Sequence, residues 1–436
     1  MHSDSVPHPD ALRSAAKARR VTRLIAAALA VAICVLGYFL FEPLVVWHFG
    51  WKALPAETFT TVGESKIYRP DYSTQIAQAR ALMEKAQREL GAPAMSIAVG
   101  VDGELAWAES RGFADVDARI PAKLDSRFRI GSTSKAVTAT AMGKLIEEGK
   151  LNLDAPIQGF APDFGGKSVS VTAREVLSHT AGFRDYGWCF CFPVWEYHST
   201  RQYDSIEASL AALKGEPLEA EPATRFKYTS PGFNVAGLVA EQASGKPFAD
   251  FLNEGLFAPL GMRDSSLDYA DREVPGRARF YNGKSGTYKP VFAVNNSNKW
   301  PAGGIVSTPS DLVRMGNALV TDRYLRADVR EQLFTPQKLK DGTMNPQRYA
   351  LGWRSHQRKM TDGQMLTAVN HGGLAVGSTS FLVLFPDQKV VVSVLMNLDS
   401  EGMFKLHQPA YAIAEIFLAD RVVDTKQNRE ESGAKR

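Results

Sequence analysis

The sequence predicts an α+β fold in which one antiparallel sheet is assembled from both ends of the chain around an inserted, mostly helical subdomain. Runs that alternate or concentrate β-branched and apolar residues, at 95–108 and 381–397, predict the strands of that sheet. The segment between them, from 156 to about 285, has a mainly helical pattern with long loops. An uncharged run at 24–41 precedes all of this and predicts one transmembrane helix.

The N-terminal region divides into a basic segment (1–23), an apolar anchor (24–47) and a linker (48–71). Because the basic segment directly precedes the apolar one, the positive-inside rule places the N-terminus in the cytoplasm. A cleaved signal peptide is the alternative, since Ala30-Val31-Ala32 resembles a cleavage site. The apolar run continues past that point and favours an uncleaved anchor. We therefore expect a single-pass protein of the inner (cell) membrane with its main domain on the periplasmic side.

The rest of the composition is that of an ordinary globular protein. The chain has 436 residues, of which 44% are hydrophobic and 22% are charged, which is enough for a large core. The net charge of +4 comes mostly from the basic N-terminus, so the remainder is close to neutral. We therefore expect no nucleic-acid partner, which would require clustered basic residues.

The elements of the main domain, predicted to span 72–420, follow in order. An amphipathic helix covers Tyr72–Leu90, and Asp102-Gly103 has the chemistry of a hairpin turn. The central helix, which begins at Ser132 and stops at Gly149, is apolar nearly all round and is expected to be buried.

At the C-terminal end, Pro386–Lys389 joins two β-rich runs into a second hairpin. A final helix is predicted over Phe404–Leu418. The charged residues 421–436 are expected to form a disordered tail.

The three cysteines give no firm chemistry. Cys34 lies in the apolar run, while Cys189 and Cys191 form a C-x-C pattern in an aromatic loop. A strained disulfide or half of a metal site is the functional alternative, but a zinc site needs more ligands than the nearby His198. We expect two ordinary thiols, no metal and no cofactor.

Ser132 and Lys135 form an S-x-x-K pattern where the loop FRIG turns into the central helix. Residues three apart lie on one helical face, so the lysine amine can reach the serine hydroxyl. The helix dipole also favours negative charge that develops there. This is the arrangement of a serine nucleophile whose proton is handled by lysine. A capping serine beside a solvated lysine is the structural alternative.

Two further elements lie downstream. Tyr228 and Ser230 occupy a loop before a second helix, and tyrosine can act as a base where a nearby cation lowers its pKa. His371, followed by Gly372 and Gly373, precedes the C-terminal hairpin, and the glycines would let a substrate backbone lie along an edge strand. The structural alternatives are a tyrosine that covers the core and a histidine within a strand.

Taken together, S-x-x-K, Y-x-S and H-x-G occur in the order found in the serine β-lactamase and penicillin-binding-protein superfamily, and the chain resembles this superfamily on its class C, D,D-peptidase and esterase side. The stretches VTAREVLSHTAGF and PAGGIVSTPSDLVRMGNAL support the resemblance. NNSNKWPAGG is similar to the mitochondrial serine β-lactamase-like branch. The resemblance implies a β-lactamase-like fold over nearly the whole exported part.

The resemblance also implies roles for individual residues. Ser132 is the expected nucleophile, and Lys135 and Tyr228 handle protons, with the identity of the general base left open. The oxyanion hole would consist of the backbone N–H groups of Ser132 and Leu374. His179, in the block VLSHTAGF, is expected to be structural and remote from the three motifs.

The remaining substrate-binding residues depart from the superfamily pattern. Ser230 stands where many relatives have Asn, which removes an amide that can orient Lys135. His371 stands where penicillin-recognising relatives often have Lys, and Gly372 replaces a threonine, while Gly373 keeps the glycine. Because histidine is mostly neutral at pH 7, we expect weak anchoring of a substrate carboxylate and poor β-lactamase activity.

The sequence thus predicts a membrane-anchored serine hydrolase that works through an acyl-enzyme on a peptide-like amide. An esterase and a D,D-peptidase of the same fold are alternatives. A non-catalytic filament or scaffold protein is the alternative from another class, since the resemblance to the mitochondrial branch implies assembly into homo-oligomers or filaments.

Overall fold

A computed structural model of the protein describes residues 9–165, 169–187, 195–284, 286–400 and 405–433. The chain forms two compact units, Met1–Lys52 and Ala53–Arg436. The first unit contains helix α1 (Pro9–His48). Within it, Lys17–Tyr38 is long and apolar enough to cross a membrane. Cys34 is an exposed free thiol, whereas Cys189 and Cys191 lie outside the described residues.

The second unit mixes helices and strands. Its helices are α2 (Ser73–Leu90), α3 (Thr133–Glu147), α4 (Ala173–Leu177), α5 (Ile206–Ser209), α6 (Ser230–Ser244), α7 (Phe248–Leu252), α8 (Trp300–Gly303), α9 (Pro309–Val320), α10 (Ala327–Phe334) and α11 (His407–Gly433). Its strands, with β1 at the boundary of the two units, are β1 (Lys52–Ala53), β2 (Val62–Ile67), β3 (Ala94–Val101), β4 (Glu104–Asp115), β5 (Ile120–Pro121), β6 (Phe128–Arg129), β7 (Ser266–Leu267), β8 (Tyr281–Lys284), β9 (Thr287–Pro290), β10 (Ile305–Ser307), β11 (Arg354–Lys359), β12 (Met365–Ala375), β13 (Ser378–Phe385), β14 (Val390–Met396) and β15 (Leu398–Ser400).

The main sheet confirms the predicted α+β architecture. Its strand order is β11-β12-β13-β14-β3-β4-β2, and neighbouring strands run antiparallel. Strands β3 and β4 come from the N-terminal part of the domain and β11–β14 from the C-terminal part, so both ends of the chain build one sheet. The segment between them supplies helices α3 to α10 and the smaller sheet β6-β10-β7.

Both predicted hairpins are confirmed. Asp102 and Gly103 have φ values of 55° and 83°, so both central residues of the β3–β4 turn are left-handed, as this tight hairpin turn requires. In the C-terminal hairpin, β13 pairs with β14 over seven positions, from Thr379↔Met396 to Phe385↔Val390.

The sheet separates two apolar layers. Side chains alternate along β13, so Leu382 and Leu384 pack in the core that contains α3 and α9. Val383 and Phe385 pack in the core that contains α2 and α11. Most residues of α3 are buried, as predicted from a sequence that is apolar nearly all round. The start of α3 is therefore held rigidly against one face of the sheet.

Two predicted boundaries of the domain are wrong. The segment 48–71 is not all linker, because the compact unit begins at Ala53 and β2 pairs with β4. The sequence of β2, VGESKI, has no alternation of polar and apolar residues that would predict a strand without its partner. The predicted tail is also partly helical, since α11 continues to Gly433. Residues 419–432 contain neither proline nor glycine, so none of them breaks the helix.

The pairing of β2 with β4 predicts how a chain shortened at its N-terminal side behaves. A chain that begins at Ser73 lacks β2, and with it the Ser65 hydroxyl that donates to the buried Glu109 carboxylate at 2.8 Å. Removing one hydrogen bond to a buried charge costs about 1–3 kcal/mol, so the Ser73 chain should melt at least about 1–4 °C below a chain that begins at Ala53. Thermal unfolding followed by circular dichroism measures the difference. Equal melting temperatures would show that β2 contributes nothing to the fold.

Candidate active site

Ser132 lies at the N-terminal cap of α3, immediately after Gly131. Gly131 has a φ of 49°, and a Cβ there would lie 2.4 Å from the carbonyl oxygen of Leu374. The glycine therefore permits a backbone approach that side chains would prevent. It brings Ser132 beside β12, at the wall of a cavity of about 500 Å³ that Tyr228 also lines.

Lys135, one helical turn into α3, is completely buried. Its Nζ lies 3.3 Å from Ser132 Oγ, 2.9 Å from Ser230 Oγ and 2.8 Å from the carbonyl oxygen of Ala302. The amine thus contacts residues from three helices, α3, α6 and α8. The S-x-x-K spacing has brought amine and hydroxyl together, and the alternative of a solvated lysine is wrong.

The surroundings of Lys135 favour its neutral form. Burial lowers its pKa below 10.5, the ordinary lysine value, although the interaction with Tyr228 opposes this shift. Among its partners, the Ala302 carbonyl can only accept a hydrogen bond, while the Ser132 hydroxyl can also donate. A neutral amine can therefore keep its bond to Ala302 and turn its lone pair towards Ser132. This is the geometry of a base that can take the serine proton.

Tyr228 lies close to both Lys135 and a buried histidine. Its ring centroid is 4.8 Å from Lys135 Nζ and 4.3 Å from the centroid of the His179 ring. The expectation that His179 is remote from the three motifs is wrong, because its loop folds back under the tyrosine. Thr229 N–H donates to His179 Nδ1 at 3.3 Å, which links the histidine to the residue after Tyr228. His179 therefore helps to fix the position of the tyrosine ring.

Ser230 begins α6 and, although it stands where many relatives have Asn, it keeps a contact that orients Lys135. Its hydroxyl accepts from Lys135 Nζ, so a serine at this position still holds the amine. The Ser230 backbone N–H in turn donates to Asp185 Oδ1 at 3.3 Å. The expectation that Lys135 would lose a partner here is wrong, because the backbone brings the shorter side chain close enough.

Gly372, Gly373 and Leu374 line the cavity together with Ser132. Pairing between β11 and β12 ends at Arg354↔Asn370, so these three residues lie beyond the end of that pairing, on the same side of β12. A Cβ on Gly373 would lie 1.9 Å from the carbonyl oxygen of Ile130, so a larger residue would displace the loop before α3. The glycines thus leave a strand edge open beside Ser132.

His371 does not line this cavity, contrary to its predicted role in substrate binding. Its ring is completely buried, with Nδ1–H donating to the carbonyl oxygen of Gly372 at 2.7 Å. Nε2 accepts from the Tyr349 hydroxyl at 2.9 Å. Burial, reinforced by the charge of Arg354, lowers the pKa of His371 well below 6.5. The residue alternation of β12 turns this side chain into the protein, where it is neutral.

The sequence pattern did not identify Arg354 and Tyr349, which lie around His371. Arg354 lines the cavity, and its guanidinium carbon lies 5.4 Å from the centroid of the Tyr228 ring. Tyr349 is fully buried behind it. Neither belongs to a recognisable motif, but the alternation R-x-H-x-R over 354–358 was a signal that one face of an edge strand carries charge.

Lys299 is a second buried lysine that sequence reasoning missed, although it lies within NNSNKWPAGG. Burial is the main cause that lowers its pKa from 10.5 to about 7. Its Nζ donates to the Tyr197 carbonyl oxygen and lies 3.9 Å from the centroid of the Tyr197 ring. The Tyr197 hydroxyl reaches the carbonyl of Leu374 at 3.5 Å, so this lysine supports the far wall of the site.

A serine at a helix start, a buried lysine in contact with it and a tyrosine beside both define a class of protein: the serine hydrolases in which lysine replaces the histidine of a triad. The sequence model of the family described as Beta-lactamase matches residues 79–415, more than half of the chain. The chain therefore belongs to the beta-lactamase family. Its relatives with this fold are serine hydrolases that act on amides and esters.

Individual relatives support the family assignment. The chain is 27% identical to the human protein "Serine beta-lactamase-like protein LACTB, mitochondrial", over 80% of this chain and 81% of the relative. The D-amino acid amidase from Ochrobactrum anthropi SV3 superposes with a TM-score of 0.64 at 23% identity, covering 80% and 99% of the two chains. The octameric penicillin-binding protein homologue from Pyrococcus abyssi gives a TM-score of 0.63 at 23% identity, covering 80% and 77%. The two structural likenesses establish the fold.

The lowered pKa of Lys135 predicts how the labelling of Ser132 depends on pH. Below its lowered pKa the amine is protonated and cannot accept the Ser132 proton, so the rate at which a fluorophosphonate labels Ser132 should rise with pH and level off below about pH 10.4, where an ordinary lysine titrates. Lys135→Arg keeps a permanent charge and should slow labelling by at least about 100-fold. Lys359→Arg, on an exposed position, is the matched control. Labelling that does not change with pH would contradict a lysine base.

Lys299 makes a separate prediction about stability. The pKa of Lys299 is about 7 in the folded chain, against 10.5 for an ordinary lysine. Between these two pH values, the unfolded chain therefore carries a proton on Lys299 that the folded chain has lost. The free energy of unfolding should therefore rise with pH in this window, by at most about 1.4 kcal/mol per pH unit. Urea unfolding at several pH values should show a flatter profile in Lys299→Met. An unchanged profile would mean that Lys299 stays protonated in the fold.

Proposed function

We propose that this protein is a membrane-anchored serine hydrolase that cleaves a peptide-like amide through a covalent acyl-enzyme. The observation that carries the proposal is the contact between the buried Lys135 amine and the Ser132 hydroxyl, 3.3 Å apart, beside a cavity that Tyr228 also lines. Membership of the beta-lactamase family supports the reaction class.

In the proposed acylation, Ser132 Oγ attacks the substrate carbonyl while its proton moves to Lys135 Nζ. Burial makes the amine available for this transfer, because a lowered pKa increases the fraction of Lys135 that is neutral and able to accept a proton. The carbonyl oxygen becomes an oxyanion, for which the backbone N–H groups of Ser132 and Leu374 are the proposed donors.

Collapse of the tetrahedral intermediate breaks the bond to the leaving group. The proton then passes from Lys135 through the Tyr228 hydroxyl to the departing amine nitrogen, since the tyrosine ring lies beside Nζ on the cavity side. For deacylation, a water molecule gives a proton to the pair of Lys135 and Tyr228 and attacks the acyl carbon. The pair then returns this proton to Ser132 Oγ as the acyl bond breaks. This releases the acid and restores the Ser132 hydroxyl. Either Lys135 or Tyr228 can serve as the base in this second half.

The open edge of β12 supports an extended, peptide-like substrate. Gly372, Gly373 and Leu374 lie on the cavity beyond the end of the β11 pairing, so a substrate backbone can add to the sheet there. The superposition with a D-amino acid amidase is consistent with amide cleavage. An esterase and a D,D-peptidase remain alternatives with the same site and mechanism.

The apolar helix of the first unit supports membrane attachment. Lys17–Tyr38 has the length and composition of a membrane span and carries its basic residues at its N-terminal end. We place the N-terminus in the cytoplasm and the catalytic unit on the periplasmic side of the inner membrane. The octameric homologue from Pyrococcus abyssi supports assembly into homo-oligomers, and a filament or scaffold without catalysis is the alternative of another class.

Active-site labelling of the full-length protein in detergent tests this proposal. A fluorophosphonate should label the wild type on Ser132, and Ser132→Ala should lose labelling and at least about 1,000-fold in kcat/KM. Tyr228→Phe should retain the fold and lose at least about 100-fold. Ser244→Ala, at the far end of α6, is the control and should behave like the wild type.

Substrate assays then separate the alternatives. Turnover of peptidyl anilides above p-nitrophenyl esters favours the peptidase, and the reverse favours the esterase. Folded protein that resists labelling and forms filaments in electron micrographs would exclude the hydrolase and support the scaffold.

A further inference from the structure

The cavity beside Ser132 continues round the open edge of β12 to the other face of the main sheet. Ser132 approaches the sheet from the side of α3, whereas Phe381, Leu406 and Tyr411, which line the same cavity, belong to the core that contains α2 and α11. Pairing between β11 and β12 ends at Asn370, so β11 does not close the passage between the two faces. The cavity therefore has a second end, which the proposed acylation does not use.

This second end is lined by aromatic rings, and we call it the aromatic end (Phe381, Leu406, His407 and Tyr411). The centroid of the Phe381 ring lies 5.5 Å from that of Tyr411 and 6.2 Å from that of His407. Phe381 and Tyr411 are more than nine-tenths buried, so packing already holds their rings in place. A flat apolar group gains both burial and ring-to-ring contact in such surroundings.

Gly372 lies between Ser132 and the aromatic end. It is the cross-strand partner of Phe381, and a Cβ on Gly372 would lie 3.2 Å from Phe381 Cδ2. Any side chain at this position would therefore cover the Phe381 ring. The threonine of the superfamily pattern would place two further heavy atoms there, because its side chain branches at Cβ. The glycine thus leaves the ring open to the cavity.

The aromatic end lies on the side of Ser132 where the leaving group departs. In the proposed mechanism Tyr228 passes a proton to the leaving amine, and its ring centroid lies 5.4 Å from the guanidinium carbon of Arg354 on β11. Arg358, on the same face of β11, lies against the Tyr411 ring of the aromatic end, 3.7 Å from its centroid. One strand therefore connects Tyr228 with the aromatic end, so an amine that approaches Tyr228 has this end of the cavity beside it.

We infer that the aromatic end binds an aromatic side chain in the leaving half of the substrate, and that Gly372 makes this possible. The inference rests on the proposed function, because it assigns one half of the same substrate to one end of the cavity. Mostly apolar walls with few polar groups are typical of sites that select a ligand by its shape and apolar surface. A phenylalanine-like leaving amine has this chemistry.

Equilibrium binding to full-length Ser132→Ala protein in detergent tests this inference without catalysis. Calorimetry compares acetyl-alanyl-phenylalanine amide with acetyl-alanyl-alanine amide, which are both uncharged and differ only in the phenyl ring. The last residue is used in its L and its D form. In at least one form, the phenylalanine peptide should bind about 10- to 100-fold more tightly, as burial of an aromatic ring predicts. Adding Gly372→Thr should remove this preference, and adding Phe381→Leu should reduce it.

Phe292→Leu is the matched control, because it removes an exposed ring that does not line this cavity and should leave the preference unchanged. Equal binding of the two peptides in both forms overturns the inference, as does a phenylalanine peptide that does not bind. A preference that survives Gly372→Thr and Phe381→Leu also overturns it. If circular dichroism shows that Gly372→Thr is unfolded, the result for Phe381→Leu decides.

Failure of the proposed function appears elsewhere, as the absence of fluorophosphonate labelling on the wild type. The two failures are therefore distinguished by separate proteins and separate measurements.

Discussion

The burial of one amine, Lys135, is the constraint on which the site depends. Its Nζ joins the start of α3 to α6 through Ser230 and to α8 through the Ala302 carbonyl. Removing an ammonium group from water is costly, so this position favours an amine that can lose its proton. The same burial that costs stability also lowers the pKa of Lys135, so a larger fraction of the amine is neutral and able to accept a proton. Asn234 supports it, because its side chain accepts from the Ala302 N–H at 3.2 Å.

The sheet supplies the second half of the site. Because β11 pairs with β12 only as far as Asn370, the next residues of β12 offer an open edge beside Ser132. Within this strand pair, the charged side chain that lines the cavity lies on β11 and not on β12. His371 points into the protein and is neutral, whereas Arg354 points along the cavity and keeps its charge. The positive charge on this wall of the cavity therefore comes from an edge strand that contains none of the family's motifs.

The order of the motifs and the local patterns predicted much of this. The two hairpins, the buried central helix and the meeting of Ser132 with Lys135 follow from short-range rules of turn chemistry and helical spacing. The errors concern residues whose surroundings come from distant segments. His179 stacks under Tyr228, some fifty positions away, and β2 is a strand because β4 lies beside it.

By itself, the sequence determined that Ser132 and Lys135 lie one turn apart at the start of a helix, and therefore on the same helical face. It also determined an N-terminal helix apolar enough to cross a membrane. Only the tertiary structure decided whether each group faces substrate or core. The direction of each side chain depends on how β11, β12 and α6 approach α3. As a result of this packing, His371 points inwards, Lys299 is buried and Arg354 lies on the cavity wall. Burial and charge compensation are properties of packing, and no short segment of the chain encodes them.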